Sequence, residues 1–131
     1  MRAVAKRQNG SFKHKIEMRT HWITADEPEE DGGTDEGPSP QDLLAGSLAS
    51  CTAITIEMYA KRKGWDIGDV AVDVDYEPAQ RGSPTKFAMK VKLPKELPED
   101  QRERLMQIAA KCPVHRTLEG EVMFEESVEL I

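Results

Sequence analysis

The stretch Ser39-Pro40-Gln41-Asp42-Leu43-Leu44-Ala45-Gly46-Ser47-Leu48-Ala49-Ser50-Cys51-Thr52-Ala53-Ile54-Thr55-Ile56-Glu57-Met58-Tyr59 decides how this chain is read. Ser39 can cap free backbone amides, Pro40 suits the first helical position, and Asp42 completes a short capping box. The helix should run to about Lys63, where Gly64 can stop it. Leu43, Leu44, Leu48, Ile54, Ile56, Met58 and Tyr59 fall around most of its circumference rather than along one stripe, which predicts a helix at the centre of the structure. The runs Ala45-Gly46-Ser47 and Ala49 to Ala53 are small throughout, although Gly46 should cost about 1 kcal/mol against alanine. Something is expected to pack closely there. With Ser47, Ser50, Thr52, Thr55 and Glu57 inside it, Leu43 to Tyr59 reads as too short and polar to span a bilayer.

Upstream, residues 2 to 8, Asn9-Gly10 and Ser11 to Met18 read as a hairpin, since Asn-Gly supplies the positive φ angles of a tight turn. Phe12, Ile16, Met18 and Trp22 alternate with Lys13, Lys15, Glu17, Arg19 and His21, giving one apolar and one charged face. A third strand over His21 to Ala25 leads into Asp26 to Gly37, an acidic, Gly-containing loop. Downstream, Val70, Val72, Val74 and Tyr76 form one half-buried strand, and Phe87, Met89, Val91 and Leu93 form another. Arg81-Gly82-Ser83-Pro84 joins them. Pro98 opens a second amphipathic helix with Leu105, Ile108 and Ala109 inward, and this helix should end at Cys112-Pro113 because proline cannot continue it. Val122, Phe124, Val128 and Leu130 predict a last strand. Three strands, helix, two strands, helix and strand make an α+β fold.

The 131 residues carry 18 Lys and Arg against 24 Asp and Glu, a net charge of −6. No repeat or linker divides them, so one domain over 1–131 is expected, small enough to gain from a partner subunit. The acidic balance and the lack of a basic run argue against nucleic acid as a partner. Met1 to Gly10 is polar and basic, unlike a secretory signal, so a cytoplasmic location is expected.

Two cysteines, Cys51 and Cys112, lie 61 positions apart, without the paired spacing of a zinc site. They are either a redox pair or two ordinary buried thiols. A cysteine inside a helix is most often a small apolar filler, but the small neighbours of Cys51 leave room for a substrate. Cys51 stands 11 residues past Pro40, roughly 16 Å along the axis, beyond the reach of the helix dipole. An acidic thiol there needs a cation brought by another element. Arg19, placed on the polar face of the second strand, is the best candidate, against the commoner reading of a solvated arginine. Cys112, at a helix end, could approach Cys51. Asp42 has a capping role at hand, unless Arg19 or Arg116 reaches it.

His14, His21 and His115 form no helix-spaced pair, so no metal is expected, and His115 reads as a loop side chain or a local hydrogen-bond donor. Asp26, Glu27, Glu29, Glu30 and Asp31 lack the alternating ligands of a calcium loop and read as solvated. There is no phosphate-binding glycine loop and no serine elbow.

Ala25-Asp-Glu-Pro28, Gly32-Gly33, Gly37-Pro-Ser-Pro40 with Asp42-Leu-Leu44, Ser50-Cys51-Thr52-Ala53, Arg62-Lys-Gly-Trp65 and Lys111-Cys-Pro-Val-His-Arg-Thr-Leu118 together resemble the OsmC/Ohr family, in its OsmC-like branch. The resemblance implies antiparallel sheets packed around a long central helix, in an intertwined homodimer with two sites at the subunit interface. It implies that Cys51 attacks a small organic hydroperoxide and becomes a sulfenic acid. Cys112 then condenses with it to a disulfide that an external dithiol reduces, with no cofactor. An arginine from the N-terminal strands, a role Arg19 would fill, and a glutamate after the helix-starting proline would hold the thiolate and orient the substrate. The chain departs from that pattern at Gln41, with the acid one place later at Asp42, a turn of about 100° along the helix. The alternative is a non-catalytic stress or small-molecule-binding protein on the same dimer scaffold.

Overall fold

The computed structural model describes all residues 1–131. In chain order the elements are β1 (Val4–Arg7), β2 (His14–Met18), β3 (His21–Ala25), a 3-10 turn (Glu29–Asp31), α1 (Pro40–Lys63), β4 (Ala71–Glu77), β5 (Lys86–Lys92), α2 (Glu99–Ala109) and α3 (Pro113–Glu119). The fold is α+β, with antiparallel sheets and a long helix, as the sequence predicts. Two compact units divide it, Met1–Gly46 and Ser47–Ile131.

In the first unit β1, β2 and β3 form an antiparallel sheet in that order. The predicted hairpin is present, but its turn is not the tight Asn9-Gly10 one. Arg7 pairs with His14, leaving six residues between the strands. The Arg7 guanidinium closes this wider loop by donating to the carbonyls of Ser11 at 2.6 Å and Gly10 at 2.7 Å. Only Gly10 takes a positive φ there, +96°. The β2–β3 turn is the tight one: Met18 pairs with His21, and the first turn residue, Arg19, sits at φ +55°. Arg19 is therefore in a turn beyond β2, not on the strand's polar face.

The acidic loop also departs from expectation, because Asp26 is 1% exposed instead of solvated. A buried carboxylate persists where hydrogen bonds replace its water. Asp26 accepts from the Glu27 amide at 2.8 Å, the Thr34 hydroxyl at 2.9 Å and the Glu36 amide at 3.1 Å, so it knots the loop into one shape. The Glu36 amide is the chief reason its carboxyl lies below the usual range. Gly33 permits the knot's close approach, since a Cβ there would stand 2.0 Å from the Glu27 carbonyl oxygen.

The second unit holds the main core. Ile56, Tyr59 and Ala60 from α1 meet Leu105, Ile108 and Ala109 from α2 and Ile67 from the connection, with Val70, Val91 and Leu93 packed on them. The predicted inward face of α2 is the one buried. Strands β4 and β5 pair antiparallel, and every second residue is turned toward the covered side. Tyr76 stacks on Phe87 with centroids 4.6 Å apart, and Lys92 meets Asp73 on the open face at 2.5 Å.

Helix α1 has 24 residues, longer than the apolar stretch read from sequence, and by length and composition alone it could cross a membrane. Leu48, Thr52, Ile56, Tyr59 and Ala60 along it are nevertheless buried within the protein. Its apolar circumference is only partly covered, as Ile54 is 54% and Met58 64% exposed.

The last predicted strand is absent: residues 121–131 have no regular structure, and Phe124, Val128 and Leu130 are exposed. Alternation suits a segment to a sheet, but a strand exists only when another edge pairs with it. This segment pairs with none in the chain.

Candidate active site

Cys51 and Cys112 are brought together by α1 and by the start of α3. Proline ends α2, as predicted, but it also begins a helix the sequence reading missed. Pro113 occupies the first turn of α3, where its lacking N–H costs nothing. Cys112 takes the N-cap position in extended conformation (φ −54°, ψ 134°), and its Sγ accepts the His115 amide at 3.4 Å. His115 is thus on a helix, not in a loop, and its Nδ1 faces the Glu119 carboxylate one turn on.

The two sulfurs lie close enough to influence each other yet differ in surroundings. Cys51 is partly exposed and Cys112 is wholly buried. Burial pushes the Cys51 thiol up, and its bond to Cys112 pushes the same way, outweighing the Val114 amide and the Thr55 hydroxyl. Burial also acts to raise Cys112, but there it is overcome by donors: the Cys51 thiol, the His115 amide, the Thr52 hydroxyl and the Val114 amide. The net effect lowers Cys112. Of the two thiols, the buried one is therefore the more easily ionised.

Helix α1 places Thr52 and Thr55 near the two sulfurs, and α3 adds the amides of Val114 and His115. Of these, Thr52, Thr55 and Val114 carry no signal in the sequence that marks them as site groups. The dipeptide Cys112-Pro113 could have signalled α3, since a polarisable acceptor directly before a proline is an N-cap arrangement.

Arg19, Gln41 and Asp42 belong to the first unit. Arg19 lines an open hollow with Arg2, Val4 and Glu17. Asp42 forms the predicted reciprocal cap: its carboxylate accepts the Ser39 amide at 3.0 Å, and its own amide donates to the Ser39 hydroxyl at 3.1 Å. Gln41 is exposed beside it on the first turn of α1.

Comparison with known proteins agrees with this architecture. An osmotic stress induced and detoxification response protein of Psychrobacter arcticus is 25% identical, with a TM-score of 0.74 over 88% of this chain and 85% of that one. An organic hydroperoxide resistance protein of Legionella pneumophila is 21% identical, with a TM-score of 0.65 over 92% and 90%. A further one, from Bacillus subtilis, is 20% identical, with a TM-score of 0.60 over 91% and 90%. No curated protein matches the chain. Residues 33–127, which contain α1, both cysteines and α3, match the family model of OsmC-like proteins, and the chain therefore belongs to the OsmC-like family.

Proposed function

We propose that this protein reduces organic hydroperoxides with the thiol pair Cys51 and Cys112. The observation that carries the reading is the pair itself: one accessible sulfur beside one buried sulfur whose thiol is the more easily ionised of the two. In its thiolate form Cys112 takes the Cys51 proton, and the Cys51 thiolate attacks the distal peroxide oxygen. The O–O bond breaks, Cys51 becomes a sulfenic acid, and the departing alkoxide takes the proton from Cys112 to leave as an alcohol. The Cys112 thiolate then attacks the Cys51 sulfur, forming the disulfide and releasing hydroxide, which solvent protonates to water. An external dithiol returns both thiols and is itself oxidised to a disulfide.

The test is mass spectrometry after one equivalent of cumene hydroperoxide under non-reducing conditions. The expected product is an intramolecular Cys51–Cys112 disulfide, two hydrogens lighter than the reduced chain. If Cys51 reacts no faster than a free thiol, the protein is not a peroxidase. The rival reading, a small-molecule-binding protein without turnover, draws support from Gln41 and from the commitment of Asp42 to the helix cap.

In this proposal Arg19 is the cation that holds the Cys51 thiolate. Its backbone at φ +55° is a conformation glycine adopts freely and other residues adopt at a cost of about 1 kcal/mol. Arg19→Gly should therefore stabilise the hairpin by up to about 1 kcal/mol, a rise of a few degrees in melting temperature, while slowing oxidation of Cys51. A variant that melts higher but oxidises at the unaltered rate removes Arg19 from the site.

The working unit is proposed to be a cytoplasmic homodimer. Uncovered Ile54 and Met58 on α1 and the exposed apolar residues of 121–131 support a second copy as their cover.

A further inference from the structure

The hydroxyl of Thr52 has no evident business in the interior. Thr52 is 0% exposed, and its Oγ1 completes no hydrogen bond in the resting structure. A threonine inside a helix ordinarily disposes of its hydroxyl by bonding a carbonyl of the preceding turn, and Thr52 does not. Valine has nearly the same shape and would fill the same space without burying a polar group, so packing alone favours valine here. What the hydroxyl stands near, without completing a bond, is the sulfur of Cys112, itself 0% exposed. That sulfur also receives the His115 amide at 3.4 Å.

We propose that Thr52 is the positioning residue for the disulfide-forming step: its orphaned buried hydroxyl joins the His115 amide in donating to the Cys112 sulfur once that sulfur becomes the thiolate that attacks Cys51. This inference deepens the thiol-pair reading and rests on it for the chemistry. The geometry explains a division of labour along α1. Cys51 is the sulfur that solvent reaches, and the next residue, Thr52, turns inward to tend the sulfur that solvent does not reach. In the step itself the Cys112 thiolate supplies the electron pair for the new S–S bond, and the sulfenic oxygen leaves Cys51 as hydroxide. Of the groups that set the charge on Cys112, Cys51 is the one that titrates, because the remaining donors are the Thr52 hydroxyl and the amides of Val114 and His115. The His115 ring is turned to Glu119.

Thr52→Val and Thr52→Ser separate positioning from packing by two measurements on the full chain. The first is the ultraviolet titration of Cys112 thiolate, made in a Cys51→Ala background. Loss of one hydrogen bond to a charged acceptor should move the midpoint up by about one pH unit in Thr52→Val, and Thr52→Ser should restore it. The second is the rate at which Cys51 sulfenic acid becomes disulfide, read by quenched mass spectrometry with cumene hydroperoxide. Below the midpoint, one unit cuts the thiolate fraction tenfold while the more basic sulfur gains about threefold in nucleophilicity. The net result is roughly a threefold slowing at neutral pH, with the pH profile shifted upward. A packing role predicts the reverse order, with valine equal to wild type and serine impaired. An unmoved Cys112 titration in Thr52→Val overturns the proposal. If peroxide yields no disulfide even in the wild type, the peroxidase reading fails, and the titration still decides what Thr52 does to Cys112.

Discussion

Cys51→Ser should abolish hydroperoxide reduction, by roughly a thousandfold or more as when any nucleophile is deleted, whereas Cys112→Ser should leave the first oxidation intact and stop after it. The contrast follows from two opposing effects. Charge favours Cys112 as first attacker, because its thiol is lowered and that of Cys51 is raised. Access favours Cys51, because Cys112 is 0% exposed. Access decides, since a peroxide must align its O–O bond with the attacking sulfur and no path to Cys112 is open. In the Cys112→Ser protein a sulfenic acid should therefore accumulate on Cys51, trapped by dimedone in a single-turnover experiment. Dimedone on Cys112 in the Cys51→Ser protein, at wild-type speed, would reverse the roles of the two cysteines.

Ile56→Ala should cost about 2–5 kcal/mol, a large part of a typical domain's stability of about 5–15 kcal/mol. Ile56 is 0% exposed and lies where α1 meets α2 and the β4–β5 side of the core. Truncation there leaves a hole that rigid neighbours cannot close. Ile54→Ala, two residues earlier on the same helix but 54% exposed, provides the control. Within one chain it should change stability by no more than about 0.5 kcal/mol. If a second copy covers that face, the same substitution should weaken self-association in sedimentation experiments. Equal melting curves for Ile56→Ala and wild type would mean that α1 is not anchored as described.

Sequence was most legible where one short-range rule governs. Ser39, Pro40 and Asp42 announce the start of α1 because a cap is made by neighbours in the chain, and the structure shows those same bonds. The alternation in β4 and β5 likewise reports a sheet with one covered face. The hairpin before α1 was legible as a hairpin but not in its register, since the Arg7 bonds to Gly10 and Ser11 compete with the Asn-Gly turn signal. Asp26 looked like one more surface acid because three donors had to arrive from a folded loop to make its burial tolerable. Within the site, the cysteines were visible by residue type. Thr52 was not, because a threonine on a helix is distinguished only by what it touches. Helix α3 was hidden behind a proline that both ends one helix and begins the next.

The span between the two sulfurs contains β4, β5, α2 and most of the core. A bond between Cys51 and Cys112 would therefore weld the second unit into a covalent ring that the denatured chain cannot open. Closing a loop of that length withholds about 4 kcal/mol of disorder from the unfolded ensemble. Each catalytic cycle would carry the molecule between a tethered and an untethered form of unequal resistance to heat and proteolysis. Its lifetime in a cell would then become a running record of peroxide supply against dithiol supply.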